Sequence, residues 1–107
     1  MSLDVYLKVI APTTIYQDNI THNLNKMAKE AGIYQHLWRP EELGITRAGE
    51  LIDALRAGLE LLESDPKRFM KLNPENGWGS YDGLCRFVHS YLNACRENPD
   101  AEVVVGR

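Results

Sequence analysis

Two strand patterns lie at opposite ends of this chain of 107 residues. Near its start, apolar side chains fall on every second position, which is the period of a strand with one buried face: Leu3, Val5, Leu7 and Val9. Pro12 ends this pattern, and residues 101–107 contain a second strand after Asn98-Pro99-Asp100. Each strand alone would leave backbone groups unpaired, so we expect the two to pair with each other, in an orientation that the sequence leaves open.

The residues between these strands show helical spacing. A first apolar stripe follows a cap at Asn19 or Thr21 and ends at Gly32: Ile20, Leu24, Met27, Ala28 and Ala31. A second stripe follows a cap at Thr46 and ends at Ser64-Asp65-Pro66: Ala48, Leu51, Ile52, Leu55, Leu59 and Leu62.

Two further helices complete the predicted series. A short one over residues 66–72 buries Phe69, with Met70 as a further candidate, and a longer one begins near Ser80. The stripe of the latter is Tyr81, Leu84, Cys85, Val88, Tyr91, Leu92 and Cys95. We therefore expect one domain over residues 1–107 of the α+β class, mostly α, with three to four packed helices and a small sheet of the N- and C-terminal strands.

Composition excludes several classes of protein. A net charge of −3, from 12 basic and 15 acidic residues, argues against nonspecific binding to nucleic acid or to an anionic membrane. No segment approaches the ~20 apolar residues of a membrane span, and Met1-Ser2-Leu3-Asp4 lacks a signal-peptide pattern, so we expect a cytoplasmic protein. Cys85 and Cys95 lie too far apart on one helix for a disulfide, and should be reduced.

The first candidate site is the start of the first predicted helix, where Asn19, Thr21, His22 and Asn23 lie. Unpaired amides at a helix start suit an anion, and His22 points away from the apolar stripe toward water or a cleft. The alternative is purely structural, with Asn19 and Thr21 as caps and His22 simply exposed.

The two tryptophans provide the other candidates, because both stand in polar segments rich in helix breakers. Trp38 and Arg39 precede Pro40 and could grip an anionic or aromatic group, or Trp38 could close the core while Arg39 pairs with Glu41 or Glu42. Trp78 lies between two glycines in residues 73–79, and Asn76 offers an amide there. The alternative is that Asn76-Gly77 is a turn and Trp78 a plug that docks the last helix.

Standard catalytic and metal-binding motifs are missing from the sequence, so we predict no catalytic residue, no metal and no cofactor. An enzyme would need His22 as acid or base beside a carboxylate such as Glu41 or Glu42. Cys85 lies four residues before His89, but its place in the apolar stripe argues against a thiol nucleophile.

Several segments together resemble a family of short, uncharacterised proteins encoded by bacteriophages and bacterial mobile elements. They are residues 19–24, 27–28, 31–34, 37–42, 73–79 and 99–102, which span nearly the whole chain. The resemblance implies no particular activity. It implies an accessory role such as binding a host protein or sequestering a small signalling molecule.

The leading hypothesis is a non-catalytic module that binds a small anionic, nucleotide-like ligand. Its predicted ligand-binding residues are Asn19, Thr21, His22, Asn23, Trp38, Arg39, Asn76 and Trp78. The alternative is a factor that binds a host protein through exposed Trp and Arg, and an enzyme based on His22 is third. A concave site lined by both indoles would favour the ligand, and a flat display of them the protein; the sequence leaves homo-oligomers open.

Overall fold

The computed structural model describes residues 1–9 and 13–107. Its strands are β1 (Ser2–Lys8), β2 (Thr14–Thr21) and β3 (Glu102–Gly106). Its α-helices are α1 (Asn25–Glu30), α2 (Tyr34–Trp38), α3 (Ile52–Ser64), α4 (Pro66–Met70) and α5 (Tyr81–Glu97). The predicted α+β class is confirmed, although five helices within these ranges exceed the expected three to four, and Pro12 lies outside the described residues.

The sheet has the order β2-β1-β3 and is antiparallel throughout. The two terminal strands pair as predicted, with Val5 opposite Val105, and their orientation is now settled. The prediction that residues 19–24 open a helix is wrong, because Asn19 and Ile20 belong to β2. β1 is the central strand, so the backbone groups on both of its edges need partners. β3 pairs with one edge and β2 with the other.

One face of the sheet forms part of the core. Leu3, Val5 and Leu7 of β1 are fully buried, and Tyr16 of β2 stacks on Tyr91 of α5 with ring centroids 5.9 Å apart. The other face of β1 alternates with these residues and is only half-buried. Burial of alternate side chains on a single face fixes the register of the sheet, since a shift by one residue would expose all three apolar residues.

The long helices begin close to the predicted positions. The Ser80 hydroxyl accepts a hydrogen bond from the backbone N–H of Gly83 at 3.1 Å, so Ser80 caps α5. A 3-10 turn, Ala48–Leu51, precedes α3. Its cap comes from the Glu50 carboxylate, which accepts from the N–H groups of Thr46 (3.1 Å) and Arg47 (2.9 Å), and the prediction that Thr46 supplies the cap is therefore corrected.

The remaining predictions about burial have mixed outcomes. Phe69 of α4 is fully buried, but Met70 is 45% exposed, so Met70 is not part of the core. Cys85 and Cys95 are free thiols, and burial raises the pKa of Cys95 to about 12. Within the described ranges, none of the helices combines the length and the apolar character that crossing a membrane requires.

Gly58 sets how closely α3 approaches the residue that precedes α2. A Cβ at Gly58 would overlap Cγ2 of Ile33, which is itself buried. Gly58→Ala should therefore lower the free energy of unfolding by about 1–3 kcal/mol through overpacking, despite the better helix propensity of alanine. Gly83→Ala is the matched control, because the nearest atom to its Cβ, Ser80 Oγ, lies at an ordinary 3.4 Å. Urea unfolding of both variants tests this, and equal stability would contradict it.

The Glu50 cap makes stability depend on pH. Its two backbone hydrogen bonds, from Arg47 and Thr46, lower the pKa of Glu50 below its ordinary value of 4.5. A lowered pKa in the folded state adds stability above the unfolded-state pKa, and this is lost as the pH falls through the folded-state pKa. Glu50→Gln should therefore be less stable than the wild type at neutral pH, and the difference should shrink in acid. Glu63→Gln, which removes an exposed carboxylate from α3, should show no such narrowing in parallel melts.

Candidate ligand-binding groove

Residues 73–79 form a loop, called here the Trp78 loop, that is stabilised by internal hydrogen bonds and exposes Trp78 at the surface. The Asn76 side chain accepts from the N–H of Trp78 at 2.9 Å, and the N–H of Gly77 donates to the carbonyl of Pro74 at 3.2 Å. Asn73 Oδ1 accepts from the N–H of Tyr81 at 2.8 Å, which joins the loop to α5. Trp78 is 70% exposed. The alternative that Trp78 plugs the core is therefore ruled out.

Gly79 seats this loop against the end of β2. Its φ is 102°, a conformation that favours glycine, and a Cβ there would lie 2.7 Å from Cγ2 of Thr21 and 2.9 Å from Cγ of Leu24. Asn23 adds a longer contact, with Nδ2 3.5 Å from the carbonyl oxygen of Trp78. Close packing on the sheet thus positions the exposed indole.

A groove of about 530 Å³ lies between the Trp78 loop and the end of the sheet. We call it the indole groove, and its lining includes Ser2, Asn19, Thr21, Asn23, Asn76 and Trp78. Five of the eight predicted ligand-binding residues are in this set. β2 leads directly into a 3-10 turn, His22–Leu24, where the Thr21 hydroxyl accepts from the N–H of Asn23 at 3.3 Å. Thr21, one of the two predicted caps, therefore caps this turn rather than an α-helix.

Hydrogen bonds within the protein leave part of each asparagine side chain free. Asn19 Nδ2 donates to Ser2 Oγ (2.8 Å) and to Asp4 Oδ1 (2.6 Å), and Asn23 Nδ2 faces the backbone of Trp78. Asn76 uses its oxygen to accept from Trp78. Among the described residues, the carbonyl oxygens of Asn19 and Asn23 and the amide nitrogen of Asn76 have no partner. The groove therefore offers amide oxygens as acceptors and amide N–H groups as donors beside an aromatic face.

Trp38 takes no part in this groove, which corrects its prediction as a binding residue. Its side chain is 2% exposed and stacks on Tyr34, with ring centroids 5.4 Å apart. It ends α2, a five-residue helix that the sequence did not predict. Arg39 pairs with Glu42 at 3.4 Å, and the hydroxyl of Tyr34 raises the pKa of its guanidinium. The two indoles therefore do not share a site, and the structural alternative holds at Trp38.

His22 lies beside the core without a catalytic partner. Its ring meets Trp38 edge-on at 6.1 Å, and its buried Nε2 makes no hydrogen bond to any described residue. Glu41, one of the carboxylates considered for it, is instead bound by Arg107 at 2.8 Å. A hydrogen bond from its own N–H lowers the pKa of Glu41 first, and Arg107 adds to this. Over residues 1–9 and 13–107, no group of three His, Cys, Asp or Glu side chains is placed to hold a metal.

A second groove, of about 570 Å³, adjoins the first. We call it the lysine groove, and its lining includes His22, Asn23, Asn25, Lys26, Lys71 and Glu75. Asn23 lines both grooves, so they meet at this residue. The sequence did not indicate Lys26 or Lys71, because only tertiary structure brings the start of α1 and the end of α4 to one groove.

Comparisons with models of protein families, with curated proteins and with solved structures found no match to this chain. The resemblance to phage and mobile-element proteins therefore stays a prediction.

The two tryptophans should behave oppositely when each is removed. Trp38→Ala should lower the free energy of unfolding by about 3–5 kcal/mol, because it empties a buried site. Trp78→Ala should change it by less than about 0.5 kcal/mol, because the ring is exposed. Acrylamide quenching measures the same contrast, since the fluorescence of Trp38→Phe, which retains Trp78, should be quenched more strongly than that of Trp78→Phe. Similar quenching of both variants would contradict the assignment.

Proposed function

We propose that this protein is a non-catalytic binding module for a small nucleotide-like ligand, whose planar ring stacks on Trp78 in the indole groove. The observation that carries the proposal is a single tryptophan, 70% exposed, fixed as one wall of a groove. The exposed indole offers a large, flat aromatic face, and a planar ring stacked on it would remove apolar area from water. The groove volume of about 530 Å³ falls within the usual range of small-molecule sites.

The free polar atoms favour a ring that carries an amino group. Because Asn19 and Asn23 use their side-chain nitrogens within the protein and Asn76 uses its oxygen, the oxygens of the first two are free to accept from a ligand and the nitrogen of the third is free to donate. An amino-bearing base such as adenine, guanine or cytosine presents amino donors and ring acceptors along one edge. Stacking on the indole combined with hydrogen bonds at the ring edge is the usual way in which proteins hold a splayed base. A cytoplasmic location belongs to the same proposal, since nucleotides are plentiful there.

Removal of Trp78 should abolish most of the affinity. Stacking of a base on an aromatic side chain contributes about 1–3 kcal/mol, so Trp78→Ala should weaken binding by roughly fivefold to 150-fold. Trp78→Phe should retain part of the affinity. Isothermal titration calorimetry with adenosine, guanosine and cytidine, and with their monophosphates, makes the measurement.

Met70→Ala is the matched control, because it removes another exposed apolar side chain, one outside the groove. It should leave binding unchanged. A ligand at ~100 times its dissociation constant also raises the free energy of unfolding by about 2.7 kcal/mol, which a thermal shift detects. The absence of binding by all six compounds, or equal binding by the wild type and Trp78→Ala, would overturn the proposal.

A protein partner is the second candidate, because exposed tryptophans are also frequent anchors in protein interfaces. The exposed indole of Trp78 favours it, whereas the burial of Trp38 and the pairing of Arg39 with Glu42 remove the other two anchors predicted for it. Capture of a host protein by the wild type and not by Trp78→Ala, without nucleotide binding, would favour this candidate.

A further inference from the structure

We infer that the lysine groove is a phosphate subsite, so that the ligand of the indole groove carries a phosphate and is a nucleotide rather than a nucleoside. This inference rests on the proposed function, because it extends the same ligand into the neighbouring groove. It adds Lys26 and Lys71, which no pattern in the sequence indicated, to the residues that contact the ligand.

Continuity between the two grooves is the first reason. Asn23 lines both of them, and Glu75 of the lysine groove directly precedes Asn76 of the indole groove in the chain. A ligand with its ring on Trp78 therefore leaves the indole groove past Asn23. A ribose is the part of a nucleotide that would occupy this passage, and the phosphates would follow it toward the lysines.

The charges in the lysine groove are the second reason. Lys26 and Lys71 are both exposed, and every ion pair among the described residues is formed by an arginine, so neither lysine is neutralised in this way. Among the described residues that line the groove, Glu75 is the one acidic side chain, and it offsets one of the two positive charges. A local excess of positive charge in a protein with a net charge of −3 attracts an anion to this place.

The composition of the indole groove is the third reason. The described side chains that line it, including that of Met1, are uncharged, and the Asp4 carboxylate beside it accepts a hydrogen bond from Asn19 Nδ2 at 2.6 Å. A phosphate in the indole groove would meet no lysine or arginine side chain among the described lining residues and would approach Asp4. The difference in charge between the grooves therefore favours the ring in the indole groove and the phosphates in the lysine groove.

The test compares adenosine, its monophosphate and its triphosphate on the wild type and on the double variant Lys26→Gln/Lys71→Gln by calorimetry. The monophosphate should bind the wild type about tenfold more tightly than the nucleoside, because charge-assisted hydrogen bonds to a phosphate are strong. The double variant should lose this gain and keep its affinity for adenosine. Glu75→Gln should tighten monophosphate binding, because it removes the opposing charge.

Lys67→Gln is the matched control, since Lys67 is an exposed lysine on α4 that does not line the groove. It should bind all three compounds as the wild type does. Equal affinity of the wild type for nucleoside and monophosphate would overturn the phosphate subsite and leave the proposed function standing. Equal weakening by Lys67→Gln and by the double variant would also overturn it, because the effect would then be nonspecific. Binding of none of the three compounds, with guanosine, cytidine and their monophosphates also failing, would overturn both.

Discussion

The central position of β1 is the constraint on which the rest of the structure depends. Both edges of β1 are paired, and Leu3, Val5 and Leu7 are fully buried on one face. An unpaired backbone group in such a position costs about 1–3 kcal/mol, so the chain must supply a strand on each side of it. The pairing of Ser2 with Thr21 then fixes where β2 ends, and that end forms the floor of the indole groove.

Sequence patterns predicted the elements whose side chains repeat with one clear period. The stripes of α3 and α5 and the alternation in β1 are of this kind, because one face of each is apolar. The pattern in β2 is ambiguous: Asp18 lies at a half-buried position, and Ile20 stands four residues before Leu24, as it would in a helix. β2 is a strand rather than a helix because β1 needs a backbone partner on its second edge. This requirement cannot be recognised from the residues of β2 alone.

The candidate site could be predicted only in part, because its geometry also depends on contacts between residues that are distant in the sequence. Glycine, proline and asparagine around a tryptophan indicate where the backbone turns, but not to which side the indole points. Trp78 and Trp38 stand in similar segments, but their surroundings differ. Gly79 packs closely on Thr21 and the ring of Trp78 stays exposed, whereas Trp38, at the end of α2, stacks on Tyr34. Lys26 and Lys71 carry no local signal at all, because tertiary packing alone brings them to one groove.

Rigidity of the Trp78 loop connects the fold to binding. Gly79 packs on the end of β2, Asn76 closes the turn before Trp78, and Asn73 joins the loop to the start of α5. An aromatic wall held in this way loses little conformational entropy when a ring stacks on it, so more of the stacking energy appears as affinity. Asn23 has a double role in this arrangement, since its side-chain nitrogen contacts the backbone of the loop and the residue also lines the groove. The contacts that stabilise the loop therefore also determine which hydrogen bonds it can offer to a ligand.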